Sequence, residues 1–225
     1  MNILYLAHRL PFPPNKGDKI RSYHQLEYLA RRHRVWCACF VDDPADRAHV
    51  EALRQCCHRL AAIDLDRRWA TARGLWHLMR GRTLTEGFYD DRRMWSVLED
   101  WRRTVAFDAV LVFSSGMAPY GLAHRAPRRV IDFCDWDSLK WAAYAQTHRG
   151  LRSWLLAIES RRLRRLEAQW MTEFDSAVVI TSAEADDAPA PAPPTRGLGR
   201  CPRGIGLPRS APVKVVGNGI TLRPY

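Results

Sequence analysis

The sequence predicts an α/β fold, a Rossmann-like parallel sheet with helices on both faces. Near-continuous apolar runs of strand length recur at residues 2–7, 34–41, 109–113, 129–134 and 177–180. Segments with apolar residues at helical spacing lie between them. Strands without apolar/polar alternation are covered on both faces, as happens when helices cross over a parallel sheet.

Residues 2–7 form the first buried strand. The following L-P-F-P-P-N-K-G, residues 10–17, cannot be helical, because its three prolines remove donors and fix φ. Asp18 is placed to cap a helix reaching about residue 32, with Ile20, Tyr23, Leu26, Leu29 and Ala30 facing the sheet. Residues 34–41 are the next strand, with Cys37 and Cys39 on one face. Asp42-Asp43-Pro44 opens a helix to about residue 56, and residues 60–65 form a third, short strand.

Residues 67–80 and 89–103 have helical spacing, and Trp69, Trp76, Trp95 and Trp101 are expected in the core. Strand 109–113 ends at Ser114-Ser115-Gly116, and strand 129–134 ends at Asp135-Trp136-Asp137. A long helix covers residues 151–173, and strand 177–180 runs into Thr181-Ser182. Ligands of such sheets bind beyond the C-terminal strand ends. That rule selects residues 8–18, 114–117, 135–140 and 181–184.

The chain has 225 residues, enough for a full core, and its 47% hydrophobic content with nine Trp is that of a globular protein. No run approaches the roughly 18 apolar residues of a membrane span. The apolar start lacks a basic leader and meets His8-Arg9 at once, so it reads as a strand and not a signal peptide. The expected location is cytoplasmic, with a habit of lying against the inner membrane. The six Cys form no C-x-x-C pair and are expected as reduced, buried thiols. A net charge of +11 suits phosphate-bearing partners. No nucleic-acid-binding signature accompanies that charge, so nucleic acid is not an expected partner.

Three constellations could carry chemistry. In Asn15-Lys16-Gly17-Asp18-Lys19, a glycine precedes a helix N-terminus, and Lys16, Lys19 and Arg21 add charge that suits a diphosphate. An ordinary Pro/Gly loop explains the same spacing, and neither dinucleotide nor P-loop fingerprint is present. In Asp132-Phe133-Cys134-Asp135-Trp136-Asp137-Ser138-Leu139-Lys140-Trp141, three carboxylates alternate along a strand end. They could hold a metal, bind sugar hydroxyls, or cap the next helix while Asp132 pairs with an arginine. Too few further ligands lie nearby for a dedicated metal site, so none is expected. The third is the helix around Arg161, Arg162, Arg164 and Arg165, with Leu156, Leu163, Leu166 and Trp170 opposite. It is either a solvated face or a contact to an anionic membrane. Ser114-Ser115-Gly116 lacks the G-x-S-x-G elbow, and the eight His lack metal spacing.

Together, the opening 3–23, D-F-C-D-W-D-S-L-K-W at 132–141, S-R-R-L-R-R-L-E at 160–167, V-V-I-T-S-A-E at 178–184 and V-V-G-N-G-I at 215–220 resemble family 4 retaining glycosyltransferases of the GT-B fold. Within them the chain is similar to the sugar transferases associated with the PEP-CTERM/exosortase system of exopolysaccharide-producing bacteria. The resemblance implies transfer of a sugar from a nucleotide-diphosphate sugar to a glycan or lipid-linked acceptor, without a cofactor. It implies an N-terminal acceptor domain over 1–184, an irregular Pro/Arg/Gly-rich segment over 185–212, and a last strand opening the interdomain hinge over 213–225. The donor domain would follow that hinge, and without it little transferase activity is expected. Carried over, Asn15, Lys16, Gly17, Asp18, Ser114, Ser115, Asp135, Asp137, Ser138 and Lys140 would bind substrate, and Asn218 and Gly219 would form the hinge. The catalytic residues stay unassigned. Residues 188–212 hold seven of the 14 prolines, four arginines and no acid, where the fold wants a helix. A shifted reading frame over that stretch is one expectation. The alternative function is a non-catalytic basic binding module for a membrane surface or partner protein.

Overall fold

The computed structural model describes residues 1–190 and 213–215. Seven parallel strands form one sheet in the order β3-β2-β1-β4-β5-β6-β7. They are β1 (Asn2–Ala7), β2 (Arg34–Val41), β3 (Arg59–Asp64), β4 (Ala109–Phe113), β5 (Arg128–Cys134), β6 (Ser176–Val179) and β7 (Val213–Val215). The central six follow the doubly wound order that reverses direction beside β1. The α/β, Rossmann-like fold expected from the sequence is therefore the one adopted.

The period of two along each strand divides the core into two layers. Leu4, Leu6, Trp36, Phe40, Val110, Val112 and Ile131 pack on one face of the sheet. Ile3, Tyr5, Ala7, Cys37, Cys39 and Phe113 pack on the other. Cys37 and Cys39 are fully buried, as expected, whereas Cys56, Cys57 and Cys134 are only half-buried.

On the second face lies α1 (Gly17–Ala30), followed beyond β2 by a 3-10 turn (Pro44–His49) and α2 (Val50–Cys56). Asp43 caps the 3-10 turn by accepting from the Ala45 N–H. Asp18 does not cap α1. That place falls to the Lys16 backbone, and Asp18 sits in the first turn with its carboxylate bound elsewhere. The inward face of α1 also differs from the apolar stripe expected. Lys19, Arg21 and Ser22 are buried with Leu26, while Ile20 is exposed. The cause is local: the first turns of α1 face the polar ends of neighbouring segments, where Asp46 and Asp132 wait as partners.

The chain then forms α3 (Arg67–Met79), α4 (Leu84–Tyr89) and α5 (Arg92–Thr104). The expected helix over 89–103 begins later, because Asp91 caps α5 and Tyr89 belongs to α4. Thr83 and Glu86 form a capping box that starts α4. Trp101 is buried and Trp95 is half-buried against the core. Trp69 and Trp76 are not core residues. They are 74% and 52% exposed, because α3 turns Ala70, Gly74, His77 and Leu78 inward instead.

After β4 come a 3-10 turn (Ser115–Met117) and α6 (Ala118–Leu122); α7 (Asp137–Thr147) and α8 (Gly150–Glu173) form a helical hairpin after β5. The helix α9 (Ser182–Asp186) follows β6 under a Thr181–Glu184 capping box, so helix extends two residues past 184. The remainder of the Pro/Arg/Gly-rich segment from 191, and Asn218 and Gly219, lie outside the described residues.

Candidate functional site

The C-terminal ends of β1, β4 and β5 open on a pocket of about 910 Å³. It lies where the strand order reverses, between β1 and β4, the usual ligand position in such sheets. β1 delivers His8 and Arg9, the first turn of α1 delivers Gly17 and Asp18, and β4 delivers Ser114. Asp135, Asp137, Lys140 and Trp141 come from the end of β5 and the start of α7. Arg67 and Thr71 of α3 and Phe88 and Tyr89 of α4 form the facing wall.

One side is an ion-pair cluster. Arg9 donates to Asp18 at 2.9 Å and to Asp42 at 3.2 Å, and Arg67 reaches Asp42 at 3.4 Å. The Nε2 of His8 sits 3.6 Å from Asp18. The neighbouring His8, followed by the charge on Arg9, holds the Asp18 carboxyl far below the usual carboxylate range. The His8 ring stacks on Phe113 with centroids 5.9 Å apart and meets Tyr89 edge-on at 6.2 Å. His8 Nδ1 and Arg9 Nε are buried without a hydrogen-bond partner among the described residues. Such orphans are uncommon in native proteins.

The other side is acidic. Asp135 borders the open pocket, yet the surrounding protein and then the charge on Asp137 push its pKa up. Asp137 accepts from the Ser115 hydroxyl and lies 4.0 Å from the Lys140 ammonium. Two acids with Tyr89 and Trp141 rings beside them can accept from hydroxyl groups and pack against the apolar face of a sugar ring.

Backbone constraints hold this wall. Ser114 has φ of 81° and ψ of 144°, a region nearly reserved for glycine. Its N–H is held by the Asp132 carbonyl at 2.8 Å. A Cβ on Gly116 would lie 2.3 Å from the Tyr89 ring, so only glycine lets that ring pack beside the pocket. Two fully buried acids of α8 support the short helices that line the pocket. Glu159 accepts from the Leu84 and Thr85 N–H groups at 2.5 and 2.9 Å and from the Thr85 hydroxyl at 2.8 Å. Glu167 accepts from the Ser138 N–H at 3.1 Å and pairs with its hydroxyl at 2.5 Å. Burial pushes the Glu167 pKa up to about 8, against the opposing effect of those Ser138 bonds.

Of the residues expected to bind substrate, Gly17, Asp18, Ser114, Asp135, Asp137 and Lys140 border this pocket. Ser115 and Ser138 are buried behind it and act as braces for Asp137 and Glu167. Asn15 does not border it, and Lys16 borders a smaller pocket of about 310 Å³ shared with Arg9 and Arg67. Lys19 and Arg21 are not available to a diphosphate: Lys19 is buried against Asp46 at 2.6 Å, and Arg21 against Asp132 at 2.8 Å. The three acids of 132–137 therefore do not point the same way. Asp132 turns to α1, where Gln25 also donates to it at 2.6 Å, while Asp135 and Asp137 turn to the pocket. Among the described residues no three His, Cys, Asp or Glu side chains converge as metal ligands. His8, Arg9, Arg67 and Tyr89 were not singled out from sequence, and Trp141 only as the end of the 132–141 motif. The first two fall inside the loop selected by the strand-end rule, whereas Tyr89 carries no local signal.

Two of the four arginines at 161–165 are spent internally. Arg162 donates to the Leu78 and Arg82 carbonyls, and Arg164 to that of Asp187. Arg161 and Arg165 are exposed. Among the described residues no helix is long and apolar enough to cross a membrane.

No protein-family model matches the chain. No curated protein matches it either. Among solved structures, the N-terminal domain of Candida albicans trehalose-6-phosphate phosphatase aligns with 81% of this chain and 40% of its own, at 12% identity and a TM-score of 0.41. TcCGT1 in complex with UDP aligns with 83% of this chain and 45% of its own, at 13% identity and a TM-score of 0.41. The chain thus spans less than half the length of either.

Proposed function

We propose that this chain is the acceptor-binding part of a GT-B glycosyltransferase, one that moves a sugar from a nucleotide-diphosphate sugar to a glycan or lipid-linked acceptor in exopolysaccharide synthesis. The observation that carries the proposal is the pocket at the strand-order reversal, with Asp135 and Asp137 facing the His8–Arg9–Asp18 cluster across aromatic walls. Acceptor hydroxyls would donate to Asp135 and Asp137, and Tyr89 or Trp141 would cover an apolar ring face. His8 and Arg9 border the pocket, and the Arg9 guanidinium would meet a donor diphosphate there. In this reading a donor-binding domain, on following chain or on a separate one, completes the cleft, with Asn218 and Gly219 as the hinge. Retention of configuration and membership of the family 4 subgroup rest on the sequence resemblance.

Saturation-transfer NMR on residues 1–225 with a panel of oligosaccharides tests the acceptor role. Asp135→Asn with Asp137→Asn should remove the signal that the unaltered chain gives. Equal signals from both proteins would reject the assignment of these acids. Turnover of a nucleotide sugar by 1–225 without added partner would reject the need for a donor domain.

A further inference from the structure

The solvent face of α3 is apolar. Trp69, Ala72, Trp76 and Met79 recur at helical spacing on one exposed stripe, with Leu75 beside them. Met79 is 75% exposed, matching Trp69. A second exposed pair, Leu151 and Trp154, opens α8, which continues through the half-buried Leu155 and Ile158 at the same spacing. Arg67 of α3 and Arg152 of α8 border the same pocket, and farther along Arg162 of α8 holds the Leu78 carbonyl of α3 at 2.6 Å. The two helices that carry the stripes therefore adjoin each other, and each contributes other residues to the pocket rim.

The charge along the two stripes is of one sign. Residues 67–85 and 138–158 contain no Asp or Glu, although the chain has 24. Arg68, Arg80, Arg149 and Arg152 are exposed among the apolar side chains, and Arg80 lies over the Trp76 ring at 4.8 Å. Exposed tryptophans with arginines and no carboxylates match a bilayer interface, where indole rings sit at headgroup depth and guanidinium groups meet lipid phosphates. A partner surface without net negative charge would leave the absence of acids unexplained.

We infer that the α3 face and the start of α8 form a docking surface for an anionic membrane, with Trp69, Trp76, Met79, Leu151 and Trp154 entering the interface. The surface stands on its own geometry. Only its consequence, that a lipid-linked acceptor would reach the pocket from the bilayer plane, rests on the glycosyltransferase reading. The contact differs from the one expected over 161–165, since Arg162 and Arg164 face the protein.

The test is co-sedimentation of the full chain with vesicles containing phosphatidylglycerol, against vesicles of phosphatidylcholine alone, with quenching of tryptophan fluorescence by brominated lipid. The anionic vesicles should bind the chain and quench it, and added salt should release it. Trp69→Ser with Trp76→Ser should weaken partitioning about tenfold or more, and Trp154→Ser should weaken it independently. Arg103→Gln, on α5, should leave it unchanged. Absence of anion-dependent binding would overturn the inference, as would binding indifferent to both tryptophan variants. Variants that instead dissolve a dimer seen by light scattering would overturn it in favour of a second copy. Failure here would leave the pocket assignment standing, because the saccharide NMR experiment reads the pocket without lipid.

Discussion

Replacing Arg21 by Ala tests how the site is held. Arg21 and Asp132 are 7% and 3% exposed, and they join α1 to the end of β5 across 111 residues of sequence. The guanidinium places Nη2 and Nε at 2.8 and 2.9 Å from one carboxylate oxygen. Gln25 donates to the same oxygen at 2.6 Å, and the Cys134 N–H to the other at 3.0 Å. Arg21→Ala leaves the buried carboxylate with those two neutral donors and no countercharge among the described residues. Breaking a buried pair in this way costs about 3–5 kcal/mol. Because Gln25 and Cys134 still satisfy part of the carboxylate, the lower part of that range is expected. Arg21→Met with Asp132→Leu removes both charges and should recover most of the loss, since an apolar replacement of a buried pair is often close to neutral. Urea unfolding followed by circular dichroism reads both variants. A loss below about 1 kcal/mol for Arg21→Ala, the level of an exposed pair, would refute the buried-pair account. So would a double variant no more stable than the single one.

Gly116→Ala should destabilise the chain by about 1–3 kcal/mol and weaken saccharide binding, because the new methyl must displace the Tyr89 ring. Thermal melts and the NMR assay read the two effects, and an unchanged melt would place that ring elsewhere. Glu167 predicts a pH dependence with a definite sign. Its folded pKa of about 8 lies above the ordinary 4.5, so the folded state binds a proton that the unfolded state has released. That contribution is complete below about pH 4.5 and disappears as pH rises through about 8. Glu167→Gln should flatten this part of the profile, and an unaltered slope between those limits would contradict the assignment. Asp18 acts in the opposite sense at the acid end, where protonating its depressed carboxyl removes stability.

Much of the sheet was legible because buried parallel strands leave uninterrupted apolar runs, and because Pro and Gly mark the loops between them. The pocket was legible through a rule about strand ends and not through any motif, which is why Gly17, Asp18, Ser114, Asp135 and Lys140 were found together. The partners of charged residues were not legible. Lys19 and Arg21 look like free surface charge until folding brings Asp46 and Asp132 beside them. Glu159 and Glu167 read as parts of a basic helix, yet each satisfies the first turn of another helix that starts far away in sequence. The Trp69 and Trp76 error has a simple origin: spacing shows that a face is apolar but not whether anything covers it. The start of α4 was available in Thr83-Leu84-Thr85-Glu86, a capping-box sequence.

The central claim is that an acceptor sugar occupies the pocket at the strand-order reversal. Hydrogen–deuterium exchange of the full chain with and without a bound oligosaccharide tests it most directly. The account predicts slowed exchange at residues 8–18, 114–117 and 135–141, with the β2–β3 edge unchanged. Slowed exchange confined to α3 and α8, or to the β2–β3 edge, would contradict it.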